Sequence, residues 1–488
     1  MIFLRPGYRF FRHFLFFVVP GLIAGTWMSR VAADDFASLG QQIQDQQSLV
    51  QSLQSRYDRV DYRLLEPLLG LARSQTRANR FDDAHDSLSQ AVQVVRISNG
   101  LFSSSQYRVL EQSIENNIRR GAWEAVADQL DHLQWLYSSH FEGDTPDQVE
   151  RLMWVSERYL QAATSDMENR QVEHLKSAIR LNSLAYRLLD EQQTAGLETR
   201  VRVAYSLVKK YHMEIQGIRH GGEVGFSIRS EGPNTGRVEE RKRALRKRYV
   251  AGLHLLHDLR EQVQQTGPDN VEALAMVDLG IADWELLFNK RKALEEYPRL
   301  YERLAAEGIE TARLDALFAA PATLPQPELY LDLDEALADR DPAPGEPITL
   351  IQLSSNFPGI IGHAVPDPAI ESGRRGRFLT TEAELSVDPF SSSSHWLNGT
   401  LRTNWGTGSN IRLTAAPEDL SLAKEVAQQL QEVHIRPVLV AGEMQESELK
   451  VRYLVRRNEA VREYSVLDSV QLSQREADLR TAVGGGGD

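Results

Sequence analysis

Cysteine is absent from the 488-residue chain. Disulfide bonds, thiolate zinc sites, cysteine nucleophiles and a lipid anchor attached to cysteine are therefore excluded. Motifs for a zinc-binding helix, a nucleophile elbow or a phosphate-binding loop are also missing. His254 and His257 lie one helical turn apart beside Asp258, but exposed histidines on a helix are far more common than metal sites. Because nucleophile, base and orienting group are not clustered, the sequence predicts no enzyme, cofactor or metal.

Long apolar runs are scarce, and the most extended one lies near the N-terminus. Arg5, Arg9 and Arg12 precede an apolar stretch at residues 14–27, and small residues follow up to Ala33. This pattern predicts a signal peptide over residues 1–33 that is cleaved after Ala33. An uncleaved anchor is the alternative, although a run of about 14 residues is shorter than the ~20 that a spanning helix needs.

Basic residues are outnumbered by acidic ones, 55 to 68, which gives a formal charge of −13. Loss of the first 33 residues changes it to −17, because that segment carries four arginines and no acid. An acidic protein is not expected to bind nucleic acid or anionic lipid. We therefore predict a periplasmic protein with protein partners in the bacterial envelope, and membrane contact only through an uncleaved N-terminal segment.

Residues 34–60 carry apolar side chains at alternating spacings of three and four. The positions are Phe36, Leu39, Ile43, Val50, Leu53, Tyr57 and Val60. Such spacing predicts a long amphipathic helix. The helix would either form a coiled-coil homodimer over residues 36–60 or cap the helices that follow.

Paired amphipathic helices recur through residues 61–320. In the first pair, Leu68 and Ala72 precede a polar turn at residues 79–82, and Ala84 and Leu88 follow it. Similar pairs are predicted around the turn at 119–123, over 149–189 and around the turn at 289–292. Their apolar positions include Leu110, Ile114, Val126, Leu130, Trp154, Tyr159, Ala178, Leu181, Leu279, Ala282, Leu286, Ala293, Tyr297 and Tyr301. Trp123, Trp135, Trp154 and Trp284 fall at predicted core positions.

These segments resemble tetratricopeptide repeats. The small residue of the second helix appears as Ala84 and Ala293, and the aromatic residue after the turn as Phe81 and Trp123. The resemblance implies an all-α right-handed superhelix with a concave protein-binding face. Residues 218–237, rich in glycine, interrupt the pattern before a basic run at 241–248. That segment is either a surface loop or a loop presented to a partner or an anionic ligand.

Residues 321–377 contain many prolines, and this composition predicts a linker or a segment that wraps around a neighbouring domain. Residues 378–457 predict a small α+β domain with the order strand, strand, helix, strand, strand. Ala383, Leu385 and Val387 alternate with polar residues, and residues 397–405 follow a serine-rich turn. A helix begins near Pro417, and strands are predicted at 435–440 and 449–455.

The segment "IRPVLVAGEMQESELKVRYLV" resembles the C-terminal domain of TonB-type proteins. Arg436, Pro437, Gly442, Val451 and Tyr453 lie on that family's pattern of a basic-Pro pair, a glycine turn and an alternating last strand. The resemblance implies a domain that binds protein. We expect partner contacts from five residues of this region, Arg436, Pro437, Lys450, Arg452 and Tyr453.

The sequence thus predicts a multidomain protein, an all-α repeat region followed by a small α+β domain, acting as a periplasmic protein-interaction scaffold. The alternative is an accessory of TonB-type transport coupling that engages an outer-membrane receptor by adding a strand to the edge at 449–455. The tail, residues 458–488, is apolar enough to cover that edge instead.

Overall fold

A computed structural model describes residues 19–141, 143–165, 170–192, 196–220, 234–267, 270–338, 347–354, 357–362, 378–390, 392–397, 400–415 and 420–456. They divide into two compact units, with the division between His140 and Phe141 in the chain. Helices stacked in pairs precede a mixed-sheet α+β region, which confirms the predicted fold class. None of the helices within these ranges has both the length and the apolar character required to cross a membrane.

Five helices build the described part of the first unit: α1 (Val19–Arg56), α2 (Leu65–Arg77), α3 (Phe81–Asn99), α4 (Tyr107–Arg120) and α5 (Trp123–Ser139). Asn79 and Gly121 adopt left-handed conformations with φ of 57° and 68°, and these residues end α2 and α4. The short turns make successive helices antiparallel. Ala84 and Ala91 are fully buried in a core with Leu68 and Leu88, as the repeat pattern predicts.

The apolar seam of α1 packs against the first unit itself. Ile43 and Val50 are buried, and Leu39 and Leu53 are partly buried in the same core as α2 and α3. The helix therefore caps the first pair, which is the second of the two predicted arrangements. The predicted signal peptide is described only from Val19, where α1 begins, so cleavage after Ala33 stays a prediction.

The second unit begins with seven helices that the structure describes up to residue 318. They are α6 (Thr145–Ser165), α7 (Gln171–Gln192), α8 (Leu197–His220), α9 (Asn234–Gln265), α10 (Val271–Leu287), α11 (Lys292–Ala306) and α12 (Thr311–Phe318). The predicted third and fourth pairs are α6–α7 and α10–α11. Most of the predicted interruption, residues 221–233, lies outside the described ranges. In the basic run, Arg248 Nε lies 2.5 Å from Glu214 Oε2 of α8, so this arginine joins the two helices.

The rest of the second unit is mainly sheet. Its elements are β1 (Ala322–Thr323), α13 (Leu333–Ala338), β2 (Ile348–Ser354), β3 (Phe357–Gly362), β4 (Phe378–Val387), β5 (Ser392–Leu397), β6 (Thr400–Trp405), β7 (Gly408–Ala415), α14 (Leu420–Leu430), β8 (Ile435–Arg436), β9 (Val438–Val440), β10 (Glu443–Gln445) and β11 (Ser447–Arg456). The main sheet has the order β3-β2-β11-β4-β7, in which only β11 and β2 are parallel. Shorter pairs join β1 to β8, β9 to β10 and β5 to β6.

Three local predictions for this region were wrong. Residues 348–354 and 357–362, expected in a linker, supply β2 and β3 of the sheet. The serine-rich turn is part of β5, which pairs with β6. Pro437 separates β8 from β9 within the single strand expected at 435–440, because proline lacks the N–H that a continuous ladder needs.

The alternating pattern of the sheet was predicted correctly. Leu449, Val451 and Tyr453 are buried together with Ala383 and Leu385. The helix α14 covers this face through two buried side chains, Val426 and Leu430. Lys450 and Arg452 lie on the opposite, exposed face.

Strand β11 is not an edge strand, contrary to the prediction. It pairs with β2 on one side and with β4 on the other, so its backbone groups are already used. Of the outer strands, β3 lies alongside α8. Strand β7 has two register irregularities against β4, one of them beside Asn410, whose φ is 47°. Such bulges protect an edge against further pairing. The tail, residues 458–488, lies outside the described ranges.

Candidate functional site

A buried ion pair fixes the predicted Arg-Pro segment onto the helices of its own chain. Arg436 of β8 donates Nε to Asp283 Oδ1 of α10 at 3.0 Å, and its Nη2 donates to Oδ2 of the same carboxylate. The Tyr297 hydroxyl of α11 donates to Asp283 Oδ1 at 2.9 Å. Arg436 and Asp283 are only 8% and 4% exposed. One carboxylate thus holds together two helices and a strand.

The ionisation of this cluster follows from its burial. Burial opposes a charge on Arg436, but Asp283 outweighs that effect and raises the arginine pKa. Burial, with the negative charge of Asp283, raises the pKa of the Tyr297 hydroxyl far above its usual value. The adjoining cavity, lined partly by Tyr205 and Glu328, measures about 70 Å³. That is well below the several hundred Å³ of a typical ligand pocket.

Asn289 makes a second attachment between helices and sheet. It adopts a left-handed conformation, with φ of 59°, where the chain turns from α10 to α11. Its Oδ1 lies 2.9 Å from His434 Nε2 and accepts the Trp405 backbone N–H at 3.3 Å. Burial, together with the positive charge of Arg219, lowers the pKa of His434 to about 3. The histidine is therefore neutral at physiological pH.

The structure separates the five residues predicted to bind a partner. Arg436 and Pro437 are buried against the helices. Tyr453 is fully buried in the sheet core, where its hydroxyl bonds Gln429 Oε1. Lys450 and Arg452 are exposed on the other face, and Arg452 Nε lies 3.4 Å from Glu382 Oε1. These five side chains therefore do not form one surface, and a partner could reach only Lys450 and Arg452.

An exposed cluster in the first unit, which we call the aromatic patch, consists of Phe102, Trp135 and His140, with Leu101 next to Phe102 in the chain. Leu101, Phe102 and Trp135 are 52%, 58% and 38% exposed. The Phe102 and Trp135 rings lie 5.0 Å apart, and the Trp135 and His140 rings 4.3 Å apart. Large apolar side chains grouped at a surface mark a binding site more often than isolated ones do.

Local interactions hold the loop that carries Leu101 and Phe102. Helix α3 ends at Gly100, whose φ of 87° turns the chain outward. The buried side chain of Gln106 then donates Nε2 to the Gly100 carbonyl at 3.1 Å. The Tyr107 hydroxyl donates to the His140 carbonyl at 3.0 Å, which fixes the end of α5 beside the loop. The patch is thus presented by an ordered framework.

His132 lies behind the patch and completes its stack of rings. Its ring is nearly parallel to that of Trp135, at 16° and 6.2 Å. Partial burial lowers the pKa of His132, and the nearby positive charge of Arg96 lowers it further. A neutral imidazole at this position adds apolar surface to the patch.

The prediction that Trp135 lies in the core was wrong. Leu133 and Leu136, its neighbours on α5, are fully buried, whereas Trp135 points outward. Trp123 and Trp284 are buried as predicted, and Trp154 is half-buried. A signal for the patch was present in the sequence. Leu101 and Phe102 follow Gly100, which ends α3, and precede three serines. The polar residues of this loop offer no apolar surface against which the two side chains could pack.

Two further groups of charged side chains in the second unit are paired internally. An open groove of about 420 Å³ beside α9, α10 and α11 contains Arg260 and Arg303, both 2.6 Å from Asp278. Lys210, 1% exposed, donates to Glu157 Oε1, Asn182 Oδ1 and Ser206 Oγ. Within the ranges that the structure covers, no three histidine or acidic side chains are grouped as metal ligands.

Comparisons with known proteins add no family to these findings. No protein-family model matches the chain. No curated protein sequence matches it significantly either.

Proposed function

We propose that this chain is an exported protein-interaction scaffold, and that the aromatic patch is its binding surface. The observation that carries the proposal is the exposure of three large apolar side chains, Leu101, Phe102 and Trp135, of which the two rings lie in contact. Aromatic residues such as Trp and Phe are enriched in protein–protein interfaces relative to the rest of the surface. The framework of Gln106 and Tyr107 holds them in place, so little conformational entropy is lost on binding.

The helix pairs support the same proposal. We interpret them as degenerate tetratricopeptide-type repeats, a class of scaffold in which stacked pairs expose extended surfaces. Buried small residues at the crossings, Ala84 in α3 and Ala293 in α11, are consistent with this interpretation. The TonB-type relationship of the C-terminal region stays a prediction, supported by the packing of α14 against β4 and β11.

Photocrosslinking in the native host tests the binding surface. A photoreactive phenylalanine analogue at position 102 should capture a defined partner, because this side chain is 58% exposed within the patch. The same analogue at Phe390, 64% exposed in the second unit, is the matched control. Equal capture from both positions, or none from position 102, would refute the assignment of the patch.

Export is the second part of the proposal. A basic start, an apolar stretch and Val31-Ala32-Ala33 motivate it. N-terminal sequencing of the protein from its host should find Asp34 as the first residue. A chain that still begins at Met1 and fractionates with the inner membrane would contradict cleavage.

A further inference from the structure

Helices α9 and α10 run antiparallel and bring two basic segments of the second unit together. Arg260 Nε of α9 lies 2.6 Å from Asp278 Oδ1 of α10. Nearer the start of α9, the Tyr249 ring lies 4.6 Å from the ring of Phe288, the residue after α10. Positions that decrease along α9 therefore match positions that increase along α10. The basic turn that follows, residues 290–292, lies beside the part of α9 that precedes Tyr249.

A direct contact shows how close the two segments are. Lys290 Nζ lies 5.4 Å from the centroid of the Tyr249 ring. Side chains of a helix tilt towards its N-terminus, so this ring lies over the preceding turn, which carries Arg246 three positions earlier. Five exposed side chains thus form one group, which we call the basic surface: Arg246, Lys247, Lys290, Arg291 and Lys292.

The charges of the basic surface lack acidic partners. None of its five side chains forms an ion pair with another residue that the structure describes. Residues 241–257 contain neither Asp nor Glu. The positions one helical turn before and after Arg246 and Lys247 therefore offer no carboxylate, although such pairs commonly compensate charges on an exposed helix.

Aromatic rings position two of these cations. Lys290 lies over the Tyr249 ring, and the Arg291 guanidinium carbon lies 5.0 Å from the centroid of the Trp405 ring. Such cation–π contacts hold a side chain in place and leave its charge intact. The turn therefore presents positive charge at defined positions beside α9.

Acids in the surroundings do not cancel this charge. Four of them pair with basic residues outside the basic surface: Glu214 with Arg248, Glu239 with Lys242, and both Glu295 and Glu296 with Arg299. Glu240, Glu285 and Glu432 complete the acids of the segments that meet here. These segments, residues 214–219, 239–248, 285–299 and 432, hold eleven basic side chains and seven acids. Positive charge is thus in excess here, in a chain whose formal charge is −13.

We propose that the basic surface binds an acidic segment of a protein partner. The inference rests on the proposed scaffold function and adds a second binding surface, in the second unit, together with the chemistry of its partner. The planar guanidinium groups of Arg246 and Arg291 suit bidentate bonds to carboxylates. The lysines add charge that speeds the encounter and selects against basic partners.

An anionic membrane fits this surface less well. Proteins that bind at a bilayer surface insert large apolar side chains beside their basic residues. Among the described residues of α9 around Arg246 and Lys247, the large hydrophobic side chain that is exposed is Val250, at 39%. The acidic charge of the whole chain also opposes its approach to an anionic bilayer.

Fluorescence polarisation with the full chain tests the inference. The probe is a short labelled peptide that alternates Glu and Ser, compared with versions that carry Gln or Lys in place of Glu. The Glu peptide should bind roughly tenfold more tightly than the Gln peptide at low salt, and high salt should remove most of the difference. The Lys peptide should not bind.

Substitutions locate the binding. Arg246→Gln or Arg291→Gln should each weaken binding of the Glu peptide roughly threefold, and the double variant roughly tenfold. Arg291→Lys, which keeps the charge, should bind more tightly than Arg291→Gln. The matched control is Arg187→Gln, which removes an exposed arginine of α7 in the same unit and should bind as the wild type does. Unchanged melting temperatures show that the variants remain folded.

Several outcomes would overturn the inference. Equal binding of the Glu and Gln peptides would do so, as would equal losses in Arg187→Gln and Arg246→Gln. Flotation with phosphatidylglycerol vesicles that depends on Arg246 would assign the surface to a membrane instead. Sedimentation that shows a dimer lost in Arg246→Gln would assign it to a second copy.

The crosslinking test at position 102 is independent of these measurements, because that residue belongs to the first unit. Capture of a partner from position 102 without binding of the Glu peptide overturns the basic surface alone. Binding of the Glu peptide without capture from position 102 refutes the aromatic patch alone.

Discussion

Asp283 and Arg436 are separated by 153 positions in the sequence and form a buried ion pair in the second unit. Both oxygens of the Asp283 carboxylate face the guanidinium, and the Tyr297 hydroxyl occupies a further acceptor site on Oδ1. This geometry joins α10, α11 and β8. Arg436, which was predicted to contact a partner, therefore attaches the sheet region to the helices of the same unit.

Removal of Arg436 should strongly destabilise the second unit. Arg436→Ala leaves Asp283 buried without its counter-charge, which costs about 3–5 kcal/mol of the free energy of unfolding. Urea denaturation of the full chain measures the loss. Arg452→Ala is the matched control, because its contact with Glu382 is exposed, and it should cost less than ~1 kcal/mol. Equal effects of the two variants would show that the Asp283 pair contributes no special stability.

Acid should destabilise the second unit through His434. Its folded-state pKa of about 3 lies below the ordinary value of about 6.5. The unfolded chain therefore gains a proton first as pH falls below about 6.5, and stability declines from there towards pH 3. Between pH 6.5 and 5.5 this histidine should cost about 1 kcal/mol.

Comparison of variants at pH 7.5 and 5.5 isolates that effect. His434→Gln should show a smaller loss of stability on acidification than the wild type, even if it is less stable at both pH values. His254→Gln, at an exposed position of α9, should keep the wild-type difference. The same pH dependence in His434→Gln and the wild type would refute the role of His434.

Ala84 should not tolerate a larger side chain. It is completely buried in the core between α2 and α3, so Ala84→Leu should overpack the pair and cost about 1–3 kcal/mol. Thermal denaturation of the full chain detects this loss in the first unit. Gln93→Leu, exposed on the same helix, serves as the control. Gln90 is unsuitable because it bonds the Arg59 carbonyl. An unchanged melting temperature for Ala84→Leu would contradict close packing there.

Two glycines should respond to alanine with opposite signs. A Cβ at Gly252 of α9 would overlap the ring of Trp284, whose Nε1 donates to the Tyr249 carbonyl at 3.0 Å. Gly252→Ala should therefore force α9 and α10 apart and lower the melting temperature. A Cβ at Gly40 of α1 meets nothing within 4 Å. Gly40→Ala should stabilise the helix by up to ~1 kcal/mol. Stabilisation by both variants would rule out the close contact at Gly252.

The helix pairs were predictable because their signals are local. Leu68, Ala72, Ala84 and Leu88 repeat with the period of a helix, and the turns between the helices contain Asn or Gly. The same periodicity does not show how much of the remaining surface of each helix is covered by a neighbouring helix. Trp135 therefore looked like a core residue, although no neighbouring helix covers it fully.

The order of strands was not predictable, because it depends on pairings between distant segments. The proline-rich composition around β2 hid a strand that pairs with β11 about a hundred positions later. Arg436 posed a similar problem, since nothing near it in the sequence indicates Asp283 as its partner. Alternation within β4 and β11 correctly identified the buried face, but alternation alone cannot distinguish a central strand from an edge.

The central place of β11 determines when the sheet can form. This strand is the last described element of the chain, yet it alone joins the β2–β3 pair to the β4–β7 pair within the described sheet. Contacts in the first unit are mostly between consecutive helices, which fold rapidly and in the order of synthesis. The sheet has high contact order and must wait until residue 456 has emerged. A chain interrupted before β11 would therefore fold its helices and leave the β2–β3 pair and the β4–β7 pair unjoined, each with one unpaired inner edge. Such a state is prone to aggregation and suited to capture by a chaperone.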